Sequence, residues 1–348
     1  MGINSGWGRR LLAYRLLLAS LTLSLLLGAP GSPHGLAAGT GTTVAVPEPV
    51  GSAPLAIPEP SSLPDWAAGP AEELVTAGIT APSGQSPAIF TRGSFMTLAV
   101  SCTGRSTTGW PGSLQQESIQ VGRPDGSLGL DDAITRGEAV AFLVKLLRAE
   151  PESEALQQSA GGAPPGSGHP PDTAGHWSEP FFIDALRWGL VRGAPDGLVR
   201  PDAALSMAEG LTLADRFLHV GEGLLPLGSG LHQNAAVLAA VERHVRGFVE
   251  VFSREPYDFA PLLSTCVGQA RVLISQNQRY YLDRYALGSR FRFELLSFES
   301  RVGTKSFFLA GVTTREKMRE YVNGKVEESE DEDRMALRRV GPTWLIYK

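Results

Sequence analysis

The sequence predicts a multidomain protein in which all-α helix-loop-helix repeats precede an α+β domain with helices packed on an antiparallel sheet. In the first two thirds of the chain, a turn motif and a helix-start motif recur at fixed spacing. From Phe291 onward, apolar residues alternate with polar ones, as they do in strands. The 348 residues are enough for two or three such units.

The N-terminus has the pattern of a secretory signal peptide. Three arginines precede an apolar run from Leu16 to Leu27, which is shorter than the ~20 residues of a membrane-spanning helix. Residues 1–38 are therefore interpreted as the signal, with an uncleaved membrane anchor as the alternative. Residues 39–62 are rich in Pro, Gly, Ser and Thr and predict a disordered linker. We expect an exported protein without an integral membrane segment after cleavage.

The stretch PDGLVRPDAALSMAEG, which begins at Pro195, nearly repeats PDGSLGLDDAITRGEA, which begins at Pro124. Pro-Asp-Gly is a turn, because Pro presets φ and Gly takes the position with positive φ. Farther on, Thr135-x-x-Glu138 and Ser206-x-x-Glu209 have the pattern of capping boxes, and helix-period apolar residues follow each at once. The spacing predicts a loop of constant length that leads into a helix.

A fainter first copy places Thr91, Arg92 and Gly93 on the helix start of the middle copy, and Trp66 on Trp177 of the third. Each unit is a helix, a stop at a glycine such as Gly78 or Gly189, a turn and a second helix. The middle copy lacks a convincing first helix. The predicted boundaries are 63–104, 105–150 and 171–220 for the repeats, 151–170 for a Pro/Gly-rich linker and 231–348 for the C-terminal domain.

Arg92 and Arg136 stand at the first helical residue, where the helix dipole favours anions over cations. Exposed amides together with a guanidinium would form a site for a carboxylate or a phosphate. The structural alternative is an arginine that packs or pairs with a neighbouring acid, and the residues alone leave both open.

These motifs resemble the S-layer homology (SLH) domain, over 171–218, 121–148 and, more weakly, 63–101. The resemblance implies three repeats, the first and middle ones degenerate, packed with pseudo-threefold symmetry. It also implies non-covalent anchoring of a secreted protein to an anionic, often pyruvylated, cell-wall polysaccharide at the S-layer surface. The residues it assigns to polysaccharide binding are Arg92, Arg136, Thr135, Trp177, Gly193 and Asp196.

The chain departs from the family pattern in ways that affect the expected site. Met207 replaces the arginine in the third copy, and Ser94 replaces the capping Glu in the first. We therefore expect one or two working sites, with a degenerate array that serves only as a spacer as the alternative. Trp177 is equally compatible with a core anchor, and His176 with a turn or capping residue rather than a metal ligand.

In the C-terminal part, three helical segments precede alternating strands and a closing hairpin that ends in TWLIYK. In pattern, this order resembles the cone-shaped fold of the nuclear-transport-factor-2-like superfamily. The acidic run Glu327 to Asp333 is predicted to be a solvated loop, with loose calcium binding as the alternative. Tyr280, Tyr281 and Tyr285 are expected on a core face rather than on a binding surface.

The sequence carries no motif of a nucleophile elbow, a zinc protease or a phosphate loop. We therefore expect no cofactor, no metal and no enzymatic activity, and the net charge of -5 argues against nucleic acid as a partner. A wall-anchored enzyme, with a C-terminal pocket that acts on glycan or peptide, is the alternative. Cys102 and Cys266 lie in different predicted domains, so their pairing stays open, although Cys266 is expected to be a buried thiol.

Overall fold

The computed structural model describes residues 54–82, 88–117, 126–150, 169–194, 196–222 and 232–348, and positions 119, 123, 153 and 154. The predicted signal peptide and most of the two linkers lie outside these residues, as do Pro124, Asp125 and Pro195 of the two turns. Within the described residues, no helix combines the length and the apolar character that a membrane-spanning segment needs.

The end of the first predicted linker is folded rather than disordered. Strand β1 (Leu55–Ile57) pairs in parallel with β2 (Thr80–Pro82). Ile57 is fully buried, so an apolar residue amid the prolines is enough to fix this segment on the core. The prediction from composition was wrong here, because composition does not register a single buried anchor.

Among the described residues of the repeat region, six α-helices form three helix-loop-helix pairs. The second helix of each pair begins at a capping box: α2 (Arg92–Cys102), α4 (Arg136–Arg148) and α6 (Met207–His219). The two boxes expected from sequence are confirmed, and Ser94 completes a third one with Thr91. The first helices are α1 (Asp65–Thr76), α3 (Trp110–Gln116) and α5 (Glu179–Arg187).

The middle copy does have a first helix, contrary to expectation. In α3, the indole Nε1 of Trp110 donates to Thr97 Oγ1 at 3.1 Å, and its ring packs against Phe142 with 6.2 Å between centroids. The helix is only 7 residues long, too short for a periodic pattern to be recognised in the sequence. The glycines predicted to stop the other first helices do so, with φ of +70° at Gly78 and +72° at Gly189.

A ring of backbone hydrogen bonds relates the three copies. Phe90 N–H donates to Leu205 O at 3.0 Å, Leu205 N–H to Ile134 O at 2.9 Å, and Ile134 N–H to Phe90 O at 3.1 Å. Each of these buried residues directly precedes the capping residue of α2, α6 or α4. The closed cycle shows that the copies are arranged about a pseudo-threefold axis.

The C-terminal part is an α+β unit. Helices α7 (His232–Val251), α8 (Ala260–Leu263) and α9 (Gly268–Ala286) precede an antiparallel meander. Its strands are β3 (Phe291–Lys305), β4 (Leu309–Val322), β5 (Lys325–Val340) and β6 (Thr343–Ile346). Helix α7 packs across β3 and β6, and at one end of the sheet buried aromatic residues fill the space between helices and strands.

The acidic run Glu327 to Asp333 lies inside β5 and is not a loop, so that prediction was wrong. Basic residues of β4 face it: Lys317 and Arg319 contact Glu328 at 3.0 and 2.7 Å, and Arg315 contacts Glu330 at 2.6 Å. Opposite charges across a strand pair favour pairing. The strand therefore depends on a partner 9 to 15 residues away in sequence, which a local pattern does not reveal.

The α+β unit shares a core with the repeats. Phe307 and Phe308, in the turn between β3 and β4, are buried in the helical cluster, and Phe308 stacks on Phe217 of α6 with 4.9 Å between centroids. Ser306 Oγ donates to Leu218 O at 2.5 Å. Farther along the seam, Gly341 N–H donates to Gly104 O at 2.6 Å. The two parts are therefore packed against each other in one fixed arrangement.

Candidate functional site

The arginine at the start of α2 crosses to the middle copy. Arg92 Nε donates to Leu128 O at 3.0 Å, and Nη1 pairs with Glu138 Oε1 at 2.6 Å. The other oxygen of Glu138 accepts the Thr135 amide at 2.9 Å, which completes the capping box. One carboxylate thus caps its own helix and neutralises an arginine of the preceding copy.

Arg136 at the start of α4 makes the same contacts with the third copy. Its Nε donates to Val199 O at 2.7 Å, and its Nη1 pairs with Glu209 Oε1. The second oxygen of Glu209 accepts from the Ser206 amide at 3.0 Å. Leu128 and Val199 occupy corresponding positions of their copies, so the two arginines are structural equivalents.

The amides at these helix starts are not available to a ligand, which corrects the expectation of exposed N–H groups. Arg136 N–H donates to Ala203 O at 2.9 Å and Gly137 N–H to Pro201 O at 2.8 Å. Arg92 and Gly93 donate in the same way to the loop of the middle copy. A Cβ at Gly137 would lie 3.1 Å from Pro201 O, so the close approach of the loop favours glycine here. An anion at these starts would have to be held by side chains.

The two arginines differ in exposure. The Arg92 side chain is 4% exposed and that of Arg136 is 21% exposed. Above Arg92 lies Arg123, which pairs with Asp132 at 2.6 Å and approaches Glu138 to 4.0 Å. The corresponding residue of the third copy is Ala194, whose side chain is too short to cover Arg136. Arg92 is therefore enclosed and holds two copies together, whereas the side chain of Arg136 reaches the surface.

The two tryptophans that correspond in sequence are both at the surface. Trp66 and Trp177 are each 55% exposed, whereas Trp110 of the middle copy is 6% exposed. Trp177 packs at its edges against His176 and Phe181, with 5.6 and 6.3 Å between ring centroids. The alternative of a core anchor is therefore wrong for Trp177, since more than half of the ring faces solvent.

His176 is a turn residue, as predicted. Its ring contacts Ser178 Oγ at 2.7 Å through Nδ1 and Asp202 Oδ1 at 3.2 Å through Nε2. The contacts place the Trp177 segment beside the start of α4, because a Cβ at Gly137 would lie 3.0 Å from Ser178 Oγ. Arg136 and Trp177 thus flank a point where the middle and third copies touch.

The glycine turn of the third copy lies against Arg136 through its backbone. Asp196 accepts the Leu198 amide at 3.0 Å and also pairs with Arg200. The backbone hydrogen bond and, secondly, Arg200 hold the pKa of Asp196 below its ordinary value. A Cβ at Gly193 would lie 3.9 Å from the backbone of Gly197 at the base of the turn. Asp196 is engaged in shaping the loop, and Gly193 contributes only backbone.

The three junctions between copies differ in the exposure of the arginine and of the tryptophan. The first combines the enclosed Arg92 with the buried Trp110. The second, which we call the Arg136–Trp177 junction, combines a partly exposed arginine with an exposed indole. The third has the exposed Trp66 but Met207 in place of the arginine, and Met207 is buried. The second junction is therefore the candidate binding site of the repeats.

In the C-terminal unit, the thiol of Cys266 and the facing carboxylates of Glu316 and Asp331 are buried. Cys266 is a free thiol, as is Cys102 of the repeats, and burial raises their pKa values to about 11 and about 12. Glu316 and Asp331 face each other across β4 and β5 and are buried. Among the described residues, no group of three or more His, Cys, Asp or Glu side chains has the arrangement of a metal site.

Comparison with known proteins gives one informative similarity. No protein-family model matches the sequence. Over 110 residues, the chain is 29% identical to a cellulosome-anchoring protein of Acetivibrio thermocellus. The aligned region covers 30% of this chain and 22% of that protein, so the chain spans about a fifth of the length of this curated relative.

Proposed function

We propose that this protein is exported and that its helical repeats, which are of the S-layer homology type, attach it non-covalently to an anionic cell-wall polysaccharide. The C-terminal α+β unit is then a binding module displayed at the cell surface. The Arg136–Trp177 junction is the observation that carries the proposal. The similarity to a protein named for cellulosome anchoring supports the same general role.

At this junction, the guanidinium and the indole would bind different parts of one sugar. Nε and Nη1 of Arg136 are engaged by Val199 O and Glu209, and within the described residues Nη2 has no partner. A carboxylate such as that of a pyruvate ketal accepts charge-assisted hydrogen bonds from that edge. The Trp177 ring provides a flat apolar surface on which a pyranose can stack.

Glu209 reduces the positive charge that Arg136 presents at this site but does not cancel it. Its carboxylate is shared between the Ser206 amide and Arg136, so the positive charge of the guanidinium is only partly compensated. The ion pair is also partly exposed, with 21% and 34% of the two side chains accessible, and solvent screens it. We therefore expect weak binding per site that decreases with ionic strength.

The test is cosedimentation of the full chain with purified wall sacculi, native and stripped of secondary polymer. Trp177→Ala should reduce the pelleted fraction strongly. Trp66→Ala is the matched control, because that ring is equally exposed but lies at the junction that lacks the arginine. If Trp177→Ala and Arg136→Gln both pellet like the parent, the junction is not the binding site. Undiminished binding to stripped sacculi would exclude the secondary polymer as the ligand.

A wall-anchored enzyme is the second candidate, and the pair to test is Glu316 and Asp331, which face each other across β4 and β5 but are buried. Glycosidases use two carboxyl groups that flank the bound sugar, so this pair could act only if substrate reached it. The check is release of reducing ends from wall glycan by the parent protein, compared with Glu316→Gln. Equal release by both proteins, or none by either, would show that the two acids have only a structural role.

A further inference from the structure

A cleft of about 880 Å³ lies at the seam between the repeats and the α+β unit. Its walls are the end of α1, the loop after α2, the start of α9 and the end of β5. None of its lining residues belongs to the Arg136–Trp177 junction. The volume falls in the range of about 300–1,000 Å³ that is typical of small-molecule sites.

The charge of the lining is strongly unbalanced. Among the described residues, four arginines and one acid, Glu72, line the cleft. Arg105 is neutralised from outside the cleft by Glu150 at 2.7 Å and Glu117 at 3.1 Å. The remaining arginines, Arg271, Arg279 and Arg338, have no carboxylate partner in the described part of the chain.

Arg338 is the deepest of these cations. It lies near the end of β5 and donates through Nη1 to Ala77 O at 2.8 Å, just past the end of α1. Burial lowers the pKa of its guanidinium, since desolvation outweighs the electrostatic contributions of Cys102 and Tyr347. Arg338 is partly buried, a cation without a counter-ion is costly there, and an anion in the cleft would offset that cost.

The start of α9 forms one wall of the cleft, and one of its amides, Ala270 N–H, already donates to Tyr347 O at 2.9 Å. Gly268 and Gln269 line the cleft at the first turn of this 19-residue helix, which has no side-chain cap. The N-terminal end of a helix carries a partial positive charge and favours anions. Gly268 has φ of +53°, and a Cβ there would lie 2.2 Å from Thr76 O, so this wall of the cleft is held tightly against α1.

We infer that this cleft is a second binding site, and that it takes an oxyanion-bearing saccharide whose carboxylate or phosphate is held by Arg271, Arg279 and Arg338. Guanidinium groups recognise both oxyanions through directed hydrogen bonds. The hydroxyl and amide side chains of Ser101, Thr107, Ser275 and Gln269 in the lining suit the hydroxyls of a sugar. The site rests on residues other than those of the proposed anchoring function and does not depend on it.

The competing explanation is purely structural, with Arg338 stabilising the C-terminal end of α1 through Ala77 O. Arg338→Gln would then lower stability without any ligand being involved. Arg279 separates the two explanations, because it is exposed and makes no hydrogen bond or ion pair with the described residues. Its substitution should leave the fold unchanged and weaken only the binding of a ligand.

The experiment is isothermal titration of the full chain with trigalacturonate, glucose 6-phosphate and inorganic phosphate, with maltotriose as the neutral probe. We expect saturable binding of an anionic saccharide and none of maltotriose. Arg279→Gln and Arg271→Gln should each weaken that binding about tenfold, as the loss of a hydrogen bond to a charged group does. The melting temperature should be unchanged in Arg279→Gln, whereas Arg271→Gln also removes a hydrogen bond to Leu263 O at 2.6 Å. The matched control is Arg254→Gln, since Arg254 is 85% exposed and outside the cleft.

The outcomes are distinct. Preference for trigalacturonate identifies a carboxylated glycan, and preference for glucose 6-phosphate identifies a phosphorylated one. Equal binding of maltotriose, the absence of any saturable binding, or equal affinities of the Arg279 and Arg271 variants and the parent would overturn the site. Trp177→Ala should leave this titration unchanged, so a failure of the anchoring proposal is seen separately.

Discussion

Arg92 at the start of α2 and Glu138 at the start of α4 form an enclosed ion pair with 2.6 Å between Nη1 and Oε1. Arg136 and Glu209 repeat it between the next two copies. Continued around the pseudo-threefold axis, the same relationship would join Met207 to Ser94. Both members of the third pair are thus absent together, so neither charge is left without its partner.

This correlated loss predicts a strong coupling within the first pair. Glu138→Ser removes the carboxylate that pairs with the buried guanidinium of Arg92 at 2.6 Å and should cost about 3–5 kcal/mol of unfolding free energy. Arg92→Met added to it should recover part of that loss, because the double variant reproduces the Met207 and Ser94 combination. The measurement is a double-mutant cycle by urea unfolding. Additive effects of the two substitutions would show that the pair is not coupled.

A second prediction concerns Glu150, which joins the repeats to the α+β unit. Its buried carboxylate pairs with Arg105 at 2.7 Å and with Arg339 of β5. Glu150→Gln should cost about 3 kcal/mol, because two arginines lose a buried counter-ion. Glu117→Gln is the control, since Glu117 contacts the same Arg105 but is 44% exposed. Equal thermal stabilities of the two variants would contradict the interpretation.

His244 predicts how stability depends on pH. Burial lowers the pKa of its imidazole from 6.5 to about 4, and Nδ1 contacts Thr265 Oγ1 at 2.6 Å. The unfolded chain binds this proton more readily than the folded one, so the contribution is present above pH 6.5 and is lost between pH 6.5 and 4. Over that interval, unfolding free energy should fall by about 3 kcal/mol through this group.

The corresponding measurement is chemical unfolding at a series of pH values for the parent and for His244→Gln. The variant should lose most of the dependence on pH between 6.5 and 4 that His244 contributes. His219→Gln is the control, because its imidazole is 42% exposed beside Glu222. Parallel curves for the parent and His244→Gln would show that this imidazole is not the titrating group.

A further prediction concerns the reactivity of the two cysteine thiols. Cys102 and Cys266 are buried free thiols, and burial raises their pKa values to about 12 and about 11. Because the thiolate is the reactive form, neither should react with a thiol reagent in the folded protein. Both should be labelled after denaturation without a reductant. Labelling of only one equivalent, or of none, after denaturation would indicate a bond that the structure does not contain.

Features fixed by neighbouring residues were predictable from the sequence. The boxes at Thr135 and Ser206 and the stops at Gly78 and Gly189 follow from short-range spacing, and the structure confirms them. The acidic strand β5 was missed, because its stability comes from basic residues on another strand. Helix α3 was missed because its 7 residues, about two turns, carry too little periodicity.

The same distinction applies to the candidate site. Spacing alone indicated both Arg92 and Arg136, but only the assembled repeats show that Arg123 covers the first arginine and that Ala194 leaves the second open. The exposure of Trp177 was undetermined in the sequence for the same reason. The excess of arginines in the seam cleft has no sequence motif, since its members come from α9 and the end of β5.

The burial of Phe307 and Phe308 among the repeat helices bears on how the whole molecule responds to heat and to mechanical load. Removing two such rings from water contributes about 3–6 kcal/mol, which couples the melting of the sheet to that of the helices. Under the proposed attachment of the repeats to a cell wall, a pull on the carboxyl terminus would therefore pass directly to the repeats. Whatever the sheet carries is held at a set orientation relative to the repeats.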